Sequence, residues 1–259
     1  MLSCMNQKDM SIIQRTNINT DALLINQTDS NSELEVTNNG NVVRLINTTE
    51  KGLSRSRNKA IMSAHGEICL LCDDDEILVD NYEAIITNAF DSIREADIIA
   101  FKIARKGKKY WNRIKSVNRF SSLRISSVQI AFKRDSIVRK GVKFNEQFGA
   151  GSNYPFGEEN LFLIECLKNG LKIFFFPSEI GTVKQESSSW FKGYDECYFY
   201  HRGIVTAVCL GRITAVCYGV YFMLSKRRKF ENSIGLTKGL LCLMRGVFDS
   251  RRISKGMLK

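Results

Sequence analysis

Three aspartates and a glutamate, Asp73-Asp74-Asp75-Glu76, follow directly on the apolar run Ile68-Cys69-Leu70-Leu71-Cys72. Four neighbouring carboxylates repel one another and are too costly to bury unpaired. The run before them is short, lacks alternation and reads as a strand buried on both faces. The acids must therefore sit where that strand leaves its sheet, which in an open α/β sheet is the edge of the ligand crevice. Hard carboxylate oxygens placed there can hold Mg2+ or Mn2+, and the cation can in turn hold phosphates. Asp80 and Glu83 have the spacing of a capping box for the next helix and read as structural. Asp73, Asp74 and Asp75 have no such structural use.

Acids at a strand end need a sheet behind them, and the flanking sequence supplies one. Ser11 to Ile18 reads as a helix, Ala22 to Ile25 and Val42 to Ile46 as strands, and Arg55 to Ala64 as a helix closed by Gly66. After the acids, Ile85, Ile86, Ala89, Phe90 and Ile93 share one face of a helix, and Asp97 to Ile103 is a further strand. This β-α-β alternation argues for a mostly parallel sheet between helix layers. Farther on, Arg105 to Lys109 is a basic turn, Ser126 to Phe132 an alternating strand and Phe144 to Tyr154 a loop. Gly157-Glu158-Glu159-Asn160 opens a helix that Gly170 stops, and Leu171 to Phe176 is a strand that Pro177 ends. Only Leu2 to Met5 precede the loop at Asn6, so the first strand is expected to be truncated or the chain to start upstream.

The order of these pieces carries more than any one of them. A strand ends in an acid at Asp29; Gly52-Leu53-Ser54-Arg55-Ser56-Arg57-Asn58 opens a helix; a strand runs into Asp73-Asp74-Asp75; Gly157-Glu158-Glu159-Asn160 comes well downstream. Over about Leu2 to Trp190 this resembles glycosyltransferase family 2. The resemblance implies a GT-A (Rossmann-like) fold, an α/β mostly parallel mixed sheet, and inverting transfer of a sugar from a nucleotide-sugar donor. It implies that Asp73, Asp74 and Asp75 meet the donor and its Mn2+ or Mg2+, with Asp75 the leading metal ligand, and that Arg57 lies near the donor. It makes Glu159 the general base, with Glu158 capping backbone amides or contacting the acceptor, where Trp190 could also stack. Gln27 and Thr28 stand where the family usually has acids, so Asp29 falls to the donor base. Gln185 stands near the place of a late histidine ligand. The residue types suit this chemistry independently. A cation and Arg57 can offset charge on a departing diphosphate, and a carboxylate at a helix start can take a hydroxyl proton.

The formal charge is +11 over 259 residues. From His201 to Lys259, twelve Lys and Arg stand against two acids, Glu231 and Asp249, so the basic character is assigned to this tail. Residues 1–200 are expected to form the transferase domain and residues 201–259 a helical tail. Gly203 to Leu224 is mainly apolar, with Arg212 its one charge, and Lys226-Arg227-Arg228-Lys229 follows. Its length permits a membrane span, but Arg212 is costly mid-bilayer. The preferred reading is a helix on an anionic membrane surface; a span and a purely soluble tail stay open. No recognised nucleic-acid module accompanies the basic residues, which argues against a nucleic-acid partner. Eight cysteines scattered through apolar contexts, with no paired zinc spacing, fit a reduced, cytoplasmic protein. The expectation is a cytoplasmic glycosyltransferase of cell-surface polysaccharide synthesis, peripheral on the cytoplasmic membrane, with a saccharide or lipid-linked saccharide acceptor. Its rivals are a sugar-phosphate nucleotidyltransferase and a catalytically degenerate nucleotide-sugar-binding protein.

Overall fold

A computed structural model of the chain describes residues 1–38, 40–105, 107–184, 191 and 193–256. The chain forms two compact units, Met1–Gln147 with Glu158–Glu186, and Phe148–Gly157 with Ser187–Lys259.

The first unit runs through β1 (Leu2–Met5), α1 (Ser11–Arg15), β2 (Ala22–Gln27), β3 (Ser32–Asn38), β4 (Asn41–Thr48) and α2 (Leu53–Ser63). It continues with β5 (Ile68–Leu70), β6 (Cys72–Asp73), β7 (Glu76–Leu78), α3 (Tyr82–Ser92), β8 (Ile98–Ala104), β9 (Lys115–Ser116) and α4 (Arg119–Ser122). It ends with β10 (Ile130–Lys133), α5 (Arg134–Arg139), α6 (Glu158–Lys168) and β11 (Ile173–Val183). One sheet has the order β3-β4-β2-β1-β6; β4, β2, β1 and β6 are parallel, and β3 closes the edge antiparallel to β4. The other has the order β5-β10-β8-β11-β7, mixed, with β9 on β11. Helices pack on both faces. Ile98 and Ala100 of β8 lie in the core beneath α2, α5 and α6, whereas Ile99, Phe101 and Ile103 face α3. Such two-sided burial is why this strand is apolar without alternation.

Several expected elements differ. The run Ile68 to Cys72 is not one strand: β5 pairs antiparallel with β10, and two residues later β6 pairs parallel with β1. Leu71 bridges the two sheets, its N–H donating to the Ile130 carbonyl. The acids thus leave the parallel sheet beside β1. Asp80 and Glu83 form no capping box: Asn81 precedes α3 without a side-chain cap, and Asp80 Oδ1 accepts from Asn17 Nδ2 at 2.8 Å. Ser126 to Phe132 is a 3-10 turn, Ser127–Gln129, before β10 starts at Ile130. Pro177 does not end its strand. β11 pairs with β8 at Phe175↔Ala100 and next at Glu179↔Lys102, so Pro177 sits in a bulge where no ladder N–H is needed.

The second unit holds α7 (Glu196–Leu210), α8 (Arg212–Lys226) and α9 (Leu236–Gly256). Asp195 caps α7, its Oδ1 accepting from Tyr198 N–H at 2.7 Å. The segment Gly203 to Leu224 is not continuous: Gly211, at φ 81°, breaks it into two helices. Among the described residues no helix is long and apolar enough to cross a membrane. Ala215, Gly219 and Met223 turn one face of α8 inward. Its opposite face leaves Ile213, Val220, Tyr221 and Leu224 exposed. α7 and α9 cross at two glycines: a Cβ on Gly203 would collide with the Leu243 carbonyl, and one on Gly246 with the Tyr200 carbonyl.

Candidate active site

The site is assembled around the start of α2. Gly52 takes φ 116°, a conformation open to glycine at little cost. Its N–H donates to the buried Gln27 Oε1 at 2.7 Å, tying the loop to the end of β2. Asn58 holds the far side, donating to the Phe144 carbonyl at 2.9 Å and accepting from Phe144 N–H at 2.7 Å. Between these anchors Arg57 points inward and is 2% exposed. One guanidinium nitrogen donates to Glu158 Oε1 at 2.9 Å, the other to Asp73 Oδ1 at 3.0 Å, and the group lies 5.5 Å from the Phe144 ring centroid. Burial opposes the Arg57 charge, but Asp73 and Glu158 outweigh it and hold the group protonated. One buried cation therefore fixes the acidic turn after β6 to the first turn of α6.

The carboxylates around it separate by partner. Asp73 is used twice, since its Oδ2 also accepts from Ser127 Oγ at 3.3 Å. Asp74 and Asp75 are exposed. Partial burial first, then repulsion from Asp73, raises both above the ordinary carboxylate range, and Asp74 adds to the effect on Asp75. Glu76 is buried, and neither of its oxygens has a hydrogen-bond partner among the described residues. Burial and then Asp73 push its pKa well up. Glu159 is half-buried and makes no salt bridge with another described residue. Its carboxyl is raised by desolvation first and by Glu158 second, and Arg57 and Asp73 both lie close enough to act on it.

Among the described residues no three His, Cys, Asp or Glu side chains converge as a metal cage. The donor set nonetheless fits a hard cation that takes most of its ligands from phosphate and water, as Mg2+ does with one or two carboxylates. Asp74 and Asp75 are outward-facing oxygen donors whose mutual repulsion a cation would relieve.

The expected residues fall into three groups. Asp73, Arg57 and Glu158 are in contact; Glu158, expected to cap amides or meet the acceptor, is buried on Arg57, and Arg57, expected at donor phosphate, has both guanidinium nitrogens engaged by carboxylates. Asp74, Asp75 and Glu159 surround that cluster without joining its ion pairs. Asp29 stands apart, fully exposed, with Lys51 Nζ at 3.7 Å. Gln185 and Trp190 lie outside the described residues. The sequence reading missed Gln27, Asn58 and Ser127 as supports of the site. The available signal was Asn26-Gln27, two buried polar side chains closing an otherwise apolar strand.

Residues 11–153, more than half of the chain, match the family model for glycosyl transferase family 2. The chain belongs to that family, and it is a glycosyltransferase with a GT-A type fold. No curated protein matches it. Among solved structures, S. aureus TarS 1-349 in complex with UDP-GlcNAc superposes with TM-score 0.63 at 13% identity, covering 96% of this chain and 81% of that one. The mannosyltransferase PcManGT from Pyrobaculum calidifontis, in complex with GDP-Man and Mn2+, superposes with TM-score 0.54 at 10% identity, covering 96% and 86%. At such identities the likeness is one of fold.

Proposed function

We propose that the enzyme is an inverting glycosyltransferase that moves a sugar from a nucleotide-sugar donor to a saccharide, lipid-linked or free, in cell-surface polysaccharide synthesis. The carrying observation is the division of the acids by Arg57. Asp73 and Glu158 are consumed in holding the site together, which leaves Glu159 for the acceptor and Asp74 and Asp75 for the donor. That both neighbours named above were solved with nucleotide sugars supports the donor class.

Glu159 takes the proton from the acceptor hydroxyl, whose oxygen attacks the anomeric carbon from the face opposite the diphosphate. The carbon–oxygen bond to the diphosphate breaks, configuration inverts, and the nucleoside diphosphate leaves. Asp75, with Asp74, would hold a Mg2+ or Mn2+ that supplies charge stabilisation to that leaving group. Desolvation of Glu159 strengthens it as a base by disfavouring its charged form. Arg57 acts as a positioning residue, keeping α6 and the acidic turn in register.

The C-terminal unit supports a peripheral place on the cytoplasmic face of an anionic membrane. The exposed stripe Ile213, Val220, Tyr221 and Leu224 follows helical spacing, carries no charge, and leads into Lys226 to Lys229.

The test is incubation of the purified protein with a panel of nucleotide sugars and Mn2+, following nucleoside diphosphate release. Release that the Glu159→Gln variant loses is the expected result. Release of pyrophosphate from a nucleoside triphosphate and a sugar phosphate would instead mark a nucleotidyltransferase, and binding without turnover in every case would overturn catalysis.

A further inference from the structure

A second concentration of positive charge lies in the first unit. From Arg105 to Arg124 the chain carries eight Lys and Arg and no acid. Among the described residues none of Arg105, Lys108, Lys109, Arg113, Lys115 and Arg124 makes a salt bridge. Scattered surface lysines on a solvated loop would hold no fixed relation to one another. Here the segment is pinned. Phe175 of β11 is wholly buried, with Tyr110 stacked on it at 6.1 Å and Trp111 meeting it edge-on at 5.0 Å. Lys115 Nζ lies 5.0 Å and the Arg124 guanidinium 4.7 Å from the Trp111 ring centroid. Lys108 Nζ lies 5.1 Å from the Tyr110 centroid and donates to Gln129 Oε1 at 2.7 Å and Ser126 Oγ at 3.2 Å. Gln129 is itself buried and donates to the Phe101 carbonyl at 2.6 Å.

The cations crowd one another. Burial first, then Arg105 and Arg124, pull the Lys108 ammonium down to about 8 against the opposing charge of Glu159, and Arg105 also acts on Asp75. Like charges assembled on rigid aromatic supports, and forming no salt bridge among the described residues, are stabilised by an anion that arrives from outside. Tyr110 and Trp111 are themselves only half-buried, so the cations they carry stand at the surface.

We propose that this aromatic and basic patch is the binding site for an acceptor saccharide that carries anionic groups, phosphodiester or carboxylate, along its chain. The inference rests on the proposed role of Glu159 as base, because nearness to Glu159 makes the bound saccharide an acceptor. It names a substrate class that the base alone does not.

Direct binding tests it without turnover. The probes are a glycerol phosphate oligomer, an oligogalacturonate and a neutral maltooligosaccharide of matched length, each titrated calorimetrically at several salt concentrations. The expected result is salt-sensitive binding of one or both charged oligomers, with the neutral one at least about tenfold weaker. The better of the two tells whether phosphate or carboxylate is preferred. The Lys115→Gln/Arg124→Gln variant, checked by circular dichroism, should bind the charged oligomer about tenfold more weakly or worse and with a shallower salt dependence. The Arg139→Gln/Lys140→Gln variant removes equal charge elsewhere and should bind as wild type. Equal binding of neutral and charged oligomers, or undiminished binding by the first variant, overturns the proposal. So does equally tight binding of an oligonucleotide of the same charge, which would mark a general polyanion surface. If the first variant loses uridine or guanosine diphosphate binding instead, the patch serves the donor and the proposal also fails. Saccharide binding with no turnover of any nucleotide sugar would support this site while sinking the transfer reaction.

Discussion

Replacing Arg57 with methionine removes the charge that Asp73 and Glu158 share while keeping a flexible side chain against Phe144. Glu158 has a side chain only 7% exposed and Asp73 one that is 30% exposed, so the first is left as a nearly dry, unpaired carboxylate and the second retains some water. Removing one partner of a buried pair costs about 3–5 kcal/mol. In a domain of this size that is about 6–20 °C in melting temperature, at about 2–4 °C per kcal/mol. Most of the loss should come from Glu158, the drier of the two acids. Arg57→Met/Glu158→Gln should therefore recover a large part of it, since a neutral amide bears burial better than an unpaired carboxylate. Arg57→Lys should rescue poorly, because one ammonium cannot reproduce two divergent contacts of 2.9 and 3.0 Å. Thermal and urea unfolding of wild type, Arg57→Met, Glu158→Gln and the double variant measure this as a double-mutant cycle, with Arg57→Lys alongside. A loss below about 1 kcal/mol for Arg57→Met would place it with exposed ion pairs. That result, or a double variant no more stable than the single, would refute the view that this cation holds the two acidic segments together.

Three further outcomes follow from the same geometry. Glu159 is pushed up to about 8, so a base at this position gains its active form as pH rises; kcat/KM should climb through neutrality towards that value, and Glu159→Gln should lose about a hundredfold to ten-thousandfold in transfer with nucleoside diphosphate affinity unchanged, as stopped assays across pH would show. Asp75→Asn should abolish transfer with the fold intact by circular dichroism, and full wild-type activity in excess chelator would refute a metal role for Asp75. Changing Lys226, Arg227, Arg228 and Lys229 to Gln should weaken flotation with phosphatidylglycerol vesicles and its salt sensitivity, and Val220→Ser/Leu224→Ser should weaken it at all salt concentrations; flotation unchanged in both variants would remove the membrane reading.

Local pattern carried the helices and strands that meet its rules without help. α2, α3, α6 and β8 lie within a few residues of where apolar spacing and glycine stops place them. The acids after Cys72 were legible as a strand end because four carboxylates have nowhere else to go. What local pattern could not carry was pairing. Ile68 to Cys72 reads as one strand because its residues are uniformly apolar, yet its two halves take partners in different sheets. β3 alternates, but Leu34 and Val36 remain largely exposed on an edge strand and so mimic a polar loop. Pro177 signals an end to any reading that counts backbone donors, unless a bulge excuses the missing one. Arg57 and Glu158 are 101 residues apart, and no spacing rule reaches that far. Net charge misled as well. Assigning the excess to the tail hid a shorter segment with eight Lys and Arg and no acid, because acids elsewhere in the first 200 residues cancel it in the total.

The glycine crossing of α7 and α9 divides the tail by its tolerance for mutation. The exposed faces of α8 and α9 can exchange one apolar or basic residue for another, because they are open to solvent. At Gly203 and Gly246 the obstructing atom is a backbone carbonyl on the facing helix, which no rotamer change can move aside. A saturation library of α7 and α9 should therefore score Gly203 and Gly246 as glycine alone. Alanine at either would part the helices and loosen Phe199, Leu243 and Val247 together.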